Sequence, residues 1–113
     1  MATYDANLYE EAFFEMEQGR KTVYALIATE EYSVISSGDR LEFGSFGSIM
    51  IGMVRRYKNL EDLIGTEGFR NLLPSAETEE EALAEIRSVD EWDQSLEGQL
   101  GVLALRVREA KRK

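Results

Sequence analysis

The chain has 113 residues, 43% of them hydrophobic, enough for one compact core and too few for two. Its formal charge of -9 at neutral pH, from 22 acidic against 13 basic side chains, makes the average surface repel phosphate backbones; this excludes indiscriminate coating of nucleic acid but not a local basic site. Neither cysteine nor histidine occurs, which removes disulfides, the common zinc sites, thiol nucleophiles and Ser-His-acid triads, and leaves Lys, Tyr, Ser, Thr, Asp and Glu for any catalysis.

The N-terminal region is acidic and lacks the basic and apolar sections of a signal peptide. No apolar run approaches the roughly 20 residues that span a bilayer, so the expected location is cytoplasmic, with no membrane partner. Residues 3 to 8 read as a short strand. From Tyr9 to Gln18, Tyr9, Phe13 and Met16 recur at helical spacing with Glu10, Glu11, Glu15 and Glu17 between them, and Gly19 closes that helix in the left-handed conformation wanted past a last turn. Lys21 to Ala28 reads as a strand.

In EYSVISSGDRLEF, Gly38 and Asp39 make a turn, and Leu41 and Phe43 then share one face of a strand. GSFG joins it to IMIGMVRRY, residues 49 to 57, which is apolar on both faces up to Val54 and leaves for solvent at Arg55 and Arg56; Met50 and Met53 read as core filler. Asn59 and Thr66 are candidate caps for two short helical turns ending near Pro74. Thr78 with Glu81 matches a capping box, and Ala82, Leu83, Ile86 and Val89 give the helix after it a buried stripe. An acidic loop from Asp90 to Glu97 follows, anchored by Trp92. Residues 100 to 108 form a last strand with Leu103, Leu105 and Val107 on one face, and the basic tail 109–113 is expected to fray. Helices do not alternate with strands, so the fold class is α+β: a small mixed β-barrel of five or six strands with two main helices packed around it, in a single domain over residues 1–108.

Basic residues fall at strand ends, at Arg20 and Lys21, at Arg55, Arg56 and Lys58, and at Arg106 and Arg108. If those ends converge on one rim of the barrel, their cations line a cleft that focuses their field; otherwise they are solvated ends paired with nearby carboxylates, each pair contributing about 0 to 1 kcal/mol.

The order of these features resembles the ASCH domain, a branch of the PUA-like folds. The match runs from Tyr4 to Arg108 through Gly-x-Lys at 19 to 21, Ser-Gly-Asp at 37 to 39, Leu-Glu-Phe, the long apolar strand ending in Tyr57, LEDLI, FRNLLP, TEEEAL and GVLALRV. The resemblance implies a PUA-like β-barrel with helices at its opening and a cleft floored by the Gly-x-Lys strand, taking RNA or a nucleotide-like ligand. The family signature reads Gly-x-Lys-x-x-Glu-x-Arg. Gly19 and Lys21 match it, whereas Tyr24 stands where Glu is usual and Leu26 where Arg is usual. In an acetylcytidine amidohydrolase-like branch, a threonine at the Glu position works with the lysine and a helical glutamate, near which Glu77 and Glu79 fall.

The leading expectation is a binding module without metal or organic cofactor, whose cleft, bordered by Arg20, Lys21, Tyr24 and Arg55, takes RNA, a nucleotide or a modified nucleoside. Tyr24 offers a flat ring and Lys21 a cation, although in a regular strand the two point to opposite faces. The alternative is a hydrolase of acylated nucleosides or RNA in which Lys21 activates water, Tyr24 lies beside it and Glu77 or Glu79 assists. A third is a protein-interaction domain whose acidic helices face a basic partner.

Overall fold

The computed structural model describes residues 1–89 and 92–113. Five strands and five helices follow one another as β1 (Thr3–Asp5), α1 (Glu10–Glu17), β2 (Val23–Ile27), β3 (Arg40–Phe43), β4 (Gly47–Tyr57), α2 (Leu60–Glu67), α3 (Phe69–Leu72), α4 (Glu79–Arg87), α5 (Gln94–Leu100) and β5 (Val102–Arg112). The strands form one curled sheet in the order β1-β3-β4-β5-β2, a half-barrel in which β1 runs parallel to β3 and every other pair is antiparallel. The barrel is unclosed: β1 and β2 are its two edges.

Both faces of the sheet are apolar around β2 and the first four residues of β5, which is why these read as continuous hydrophobic runs. On the concave side α1 plugs the half-barrel, with Phe13 and Met16 packed against Leu41, Phe43, Ile49, Ile51, Leu103 and Leu105. The Phe13 ring meets Phe43 edge to face at 6.0 Å. On the other side Val23, Ile27, Val102 and Ala104 meet Leu60, Leu63 and Ile64 of α2, Leu72 of α3 and Ala82 of α4. Each residue along β2 thus belongs to one core or the other, Tyr24 and Leu26 to the first, Val23, Ala25 and Ile27 to the second. Gly47 opens β4 where a Cβ would sit 2.2 Å from the Lys111 carbonyl oxygen and 2.6 Å from the Phe13 ring, so a larger residue has no room there.

The caps behave as their chemistry requires. Asn59 accepts the Asp62 N–H at 2.9 Å and Thr78 accepts that of Glu81 at 3.1 Å. The carboxylate of Glu81 reaches back to the Glu77 N–H at 3.4 Å, one residue before the position a regular capping box would use. Asp39 is buried in its turn and accepts the N–H groups of Ala2 and Ser36, each at 2.9 Å, which hold its carboxyl below the usual carboxylate range and fasten β1 to the loop before β3.

Several expectations are corrected. The two main helices are α1 and α4 and the two short turns are α2 and α3, but Thr66 lies inside α2 rather than capping the second turn, and the segment expected as an acidic loop contains α5, capped by Asp93, whose side chain accepts from Ser95 and Leu96. Asp90 and Glu91 of that expected loop lie outside the described residues. The tail is not frayed. β5 runs to Arg112, whose guanidinium pairs with Glu17 at 2.7 Å and Glu10 at 3.1 Å and lies 5.4 Å from the Phe13 ring, so two carboxylates and an aromatic face hold the strand to α1. Met53 is 41% exposed rather than core, because the pairing of β4 with β5 shifts register on either side of Ile51 and turns it outward.

Candidate functional site

A recess of about 680 Å³ opens where the barrel fails to close. One wall is the chain leaving β1, residues Ala6 to Tyr9; the opposite wall is β2, and the C-terminal ends of α3 and α4 with Trp92 and Leu96 close the far side. Tyr24, Ala25, Leu26 and Ile27 all border it, although successive side chains of a strand point to opposite faces. The recess therefore lies against the edge of β2.

Lys21 sits at one end of this cleft, only 7% exposed. Its position follows from the end of α1. Gly19 takes φ +77°, the chain reverses, and the Arg20 and Lys21 N–H groups return to the Glu15 carbonyl at 2.9 and 3.1 Å. Thr22 then gives its N–H to Asn71 of α3, so the regular strand begins only at Val23. The Lys21 ammonium donates to the carbonyls of Leu72 at 2.5 Å and Val23 at 3.1 Å, which leaves one of its three N–H groups for a ligand. Burial lowers the amine to a pKa of about 8, with the nearby Glu15 carboxylate opposing the shift.

Tyr24 borders the same cleft. Its ring lies 5.7 Å from the Lys21 ammonium and meets Phe43 edge to face at 5.3 Å, while its hydroxyl donates to the Asn7 carbonyl at 2.9 Å. Lys21 and Tyr24 come together without a bulge because Lys21 precedes the strand, and strand parity does not govern it. The Tyr32 hydroxyl donates to the Asp5 carbonyl at 2.6 Å, a second phenol crossing the gap between the two sides. Trp92 borders the cleft as well and donates its indole N–H to Glu97 at 3.0 Å.

Other residues singled out from the sequence lie elsewhere. Arg20 is exposed on the reversal after α1, where its guanidinium donates to the Gln18 side chain. Arg55 is exposed on β4, beside the Tyr57 hydroxyl, which donates to the buried Glu67. Glu77 and Glu79 are exposed around the start of α4, and none of these four borders the cleft. The carboxylate that does stand with Lys21 is Glu15, which sequence reading placed only among the solvent-facing glutamates of α1. The signal was present: a chain reversing at Gly19 must pass the last turn of its own helix. Among the described residues no cluster of three or more potential metal-ligating side chains is present, and no helix is long and apolar enough to cross a membrane.

No family model matches the chain, and no curated protein matches it. The fold is found in solved structures. The hypothetical protein PH0355 superimposes with a TM-score of 0.87 at 25% identity, covering 98% of this chain and 100% of its own. Protein PF0455 from Pyrococcus furiosus does so with a TM-score of 0.77 at 24% identity, covering 97% of each chain. The half-barrel with its helices is thus a recurrent whole-chain architecture to which this protein is similar from end to end.

Proposed function

We propose that the cleft beside β2 binds a nucleoside or nucleotide-like ligand, with Lys21 as its polar anchor. One observation carries this reading: a largely apolar recess of ligand size, about 680 Å³, holds a buried lysine with an N–H to spare. Such sites bury most of a small molecule and orient it with a few fixed polar groups. A flat heterocycle suits a recess against a strand edge, and the match of Gly19 and Lys21 to the ASCH signature points the same way. A single base of a short RNA fits this reading too, but the charges favour a ligand recognised mainly through its ring. Among the described residues Lys21 is the lone cationic side chain bordering the cleft, and Arg20 and Arg55 stand away from it.

Titration calorimetry with nucleosides, nucleotides and short single-stranded RNAs at several salt concentrations tests the reading. Saturable binding abolished by Lys21→Ala supports it; equal binding by that variant removes the cleft from consideration.

A second reading, hydrolysis of an acylated nucleoside, is favoured by one feature. An amine with a pKa of about 8 is partly neutral near physiological pH and stands near the Glu15 carboxylate, so it can take a proton from water as that water attacks an acyl carbon. Incubation with acetylcytidine separates the two. Release of acetate with a rate that rises through pH 8 supports the hydrolase, and a binder gives no product.

A further inference from the structure

The edge of β2 carries hydrogen-bonding groups that its own fold does not use. Val107 donates to the Thr22 carbonyl and Ala28 donates to that of Gly101, so between these two bonds Tyr24 and Leu26 turn their backbone groups toward β5, and the alternating residues Val23, Ala25 and Ile27 turn theirs outward. The outward carbonyl of Val23 is taken by the Lys21 ammonium, and that of Ile27 by the Thr29 N–H at 2.8 Å. Ala25 lies between them. Its N–H and C=O both point away from β5, and among the described residues neither has a partner. Ala25 borders the cleft and is half-buried, so these two groups face a largely apolar recess, where an unmet donor and acceptor carry a penalty that a matching ligand removes.

The length of open edge decides what can fill it. An added strand needs several successive pairs, but this edge is stopped at both ends, by Lys21 and by Thr29, and offers a complete donor–acceptor pair at one residue. Such a pair matches a ligand of the size of one ring.

We propose that the occupant of the cleft is a planar heterocycle whose edge carries a hydrogen-bond donor and acceptor side by side, a lactam or amidine edge, and that the Ala25 backbone reads it. This rests on the binding function proposed above and narrows it to a chemical class. The Ala25 N–H donates to the ring carbonyl or ring nitrogen, the Ala25 carbonyl accepts from the neighbouring ring or exocyclic N–H, and the spare Lys21 N–H meets a substituent acceptor. Backbone recognition is insensitive to the Ala25 side chain, so the sequence carries no mark of it. A site built to pair both groups discriminates strongly against a ring in which one of them is blocked.

The experiment compares uridine with 3-methyluridine, whose methyl group replaces the ring donor, by calorimetry and by the amide NMR spectrum of the intact protein. Expected is binding of uridine with a downfield shift of the Ala25 amide proton, and a loss on the order of tenfold or more for 3-methyluridine. Ala25→Pro deletes the outward N–H at a place where the β2–β5 ladder does not use it, so the variant keeps its fold and loses uridine. Equal binding of both nucleosides, or an unmoved Ala25 amide in saturated protein, overturns the edge-reading while leaving the cleft as a binding site. If uridine, cytidine and inosine all fail to bind the wild-type protein, the nucleoside reading falls and this inference with it.

Discussion

Lys21 shows how a single side chain can be costly to the fold and useful to a site. Its amine is near 8 in the folded protein against 10.5 when solvated, because burial disfavours the ammonium. Between those values the unfolded chain holds more protons than the folded one, so stability rises as pH increases from about 8 toward 10, by up to about 3 kcal/mol. Tyr32 and Tyr57 act oppositely. Burial, with nearby carboxylates, raises both phenols above their usual 10, so they withdraw stability only above that pH. Denaturant unfolding at pH 7.5, 8.5 and 9.5 should show the rise, and Lys21→Met should flatten it. In the same variant the ligand loses its anchor. For a binder that uses the ammonium, nucleoside affinity in the wild type should fall across this range, measured by calorimetry at fixed ionic strength. Lys21 was legible in the sequence from its place beside Gly19, but its meeting with Tyr24 was not, since reading 21 to 28 as one strand puts the two on opposite faces. The distinction lies in which carbonyl each N–H of Lys21 and Thr22 finds, and those carbonyls belong to α1 and α3.

At the scale of elements, the helices on the outer face are tied by one buried carboxylate. Glu97 of α5 is 2% exposed and accepts the Leu60 N–H at the start of α2 at 2.9 Å, the Trp92 indole, and a two-pronged contact from Arg87 of α4, which also grips Glu61 of α2. Burial pushes this carboxyl up, yet the Arg87, Leu60 and Trp92 donors outweigh it and hold the group below its ordinary 4.5. Stability from this source is full above pH 4.5 and is lost as pH falls through the lowered value. Glu97→Gln should cost about 3 kcal/mol and lower the melting temperature by roughly 10 °C, because Arg87 is left beside a neutral group. Calorimetry of the variant at pH 7 checks it. In the sequence, Glu97 reads as one more acid in a polar loop: QSLEGQL carries a glycine and no long apolar stripe, and α5 is legible only once Asp93 is known to cap it. β4 and the α4 cap were plain because apolar continuity and Thr-x-x-Glu are local signals. The extension of β5 to Arg112 was hidden, since its last residues are held by α1, more than ninety positions away.

Over the whole molecule, the charge excess and the open sheet set what can be bound. With a net charge of -9 and one lysine at the cleft, attraction of a polyanion is weak. The affinity of a nucleoside should change little between 50 and 300 mM salt (about twofold or less), since few phosphate contacts mean few counterions released. A steep decline measured by calorimetry would instead place binding on the arginines of β4 and β5. No convergence of Arg20, Lys21 and Arg55 was deducible from spacing, because it depends on strand order: β4 is central and β2 is an edge. The unclosed side has a further consequence. The N-terminal segment is held to the sheet by β1 and by backbone bonds of Ala2 and Ala6 on either side of it, and it is latched across the opening by the phenol groups of Tyr24 and Tyr32. Only Ala6 and Leu8, which pack against the rim of the first core, need part from it for the residues after β1 to swing. The width of the mouth is therefore adjustable at a cost confined to those rim contacts and the two phenol latches, and a guest can be admitted by a door whose hinge is β1 while the frame stays rigid. Replacing both tyrosines with phenylalanine should quicken hydrogen exchange at residues 3 to 6 and shorten ligand residence, with the amides of β4 and β5 as slow as before.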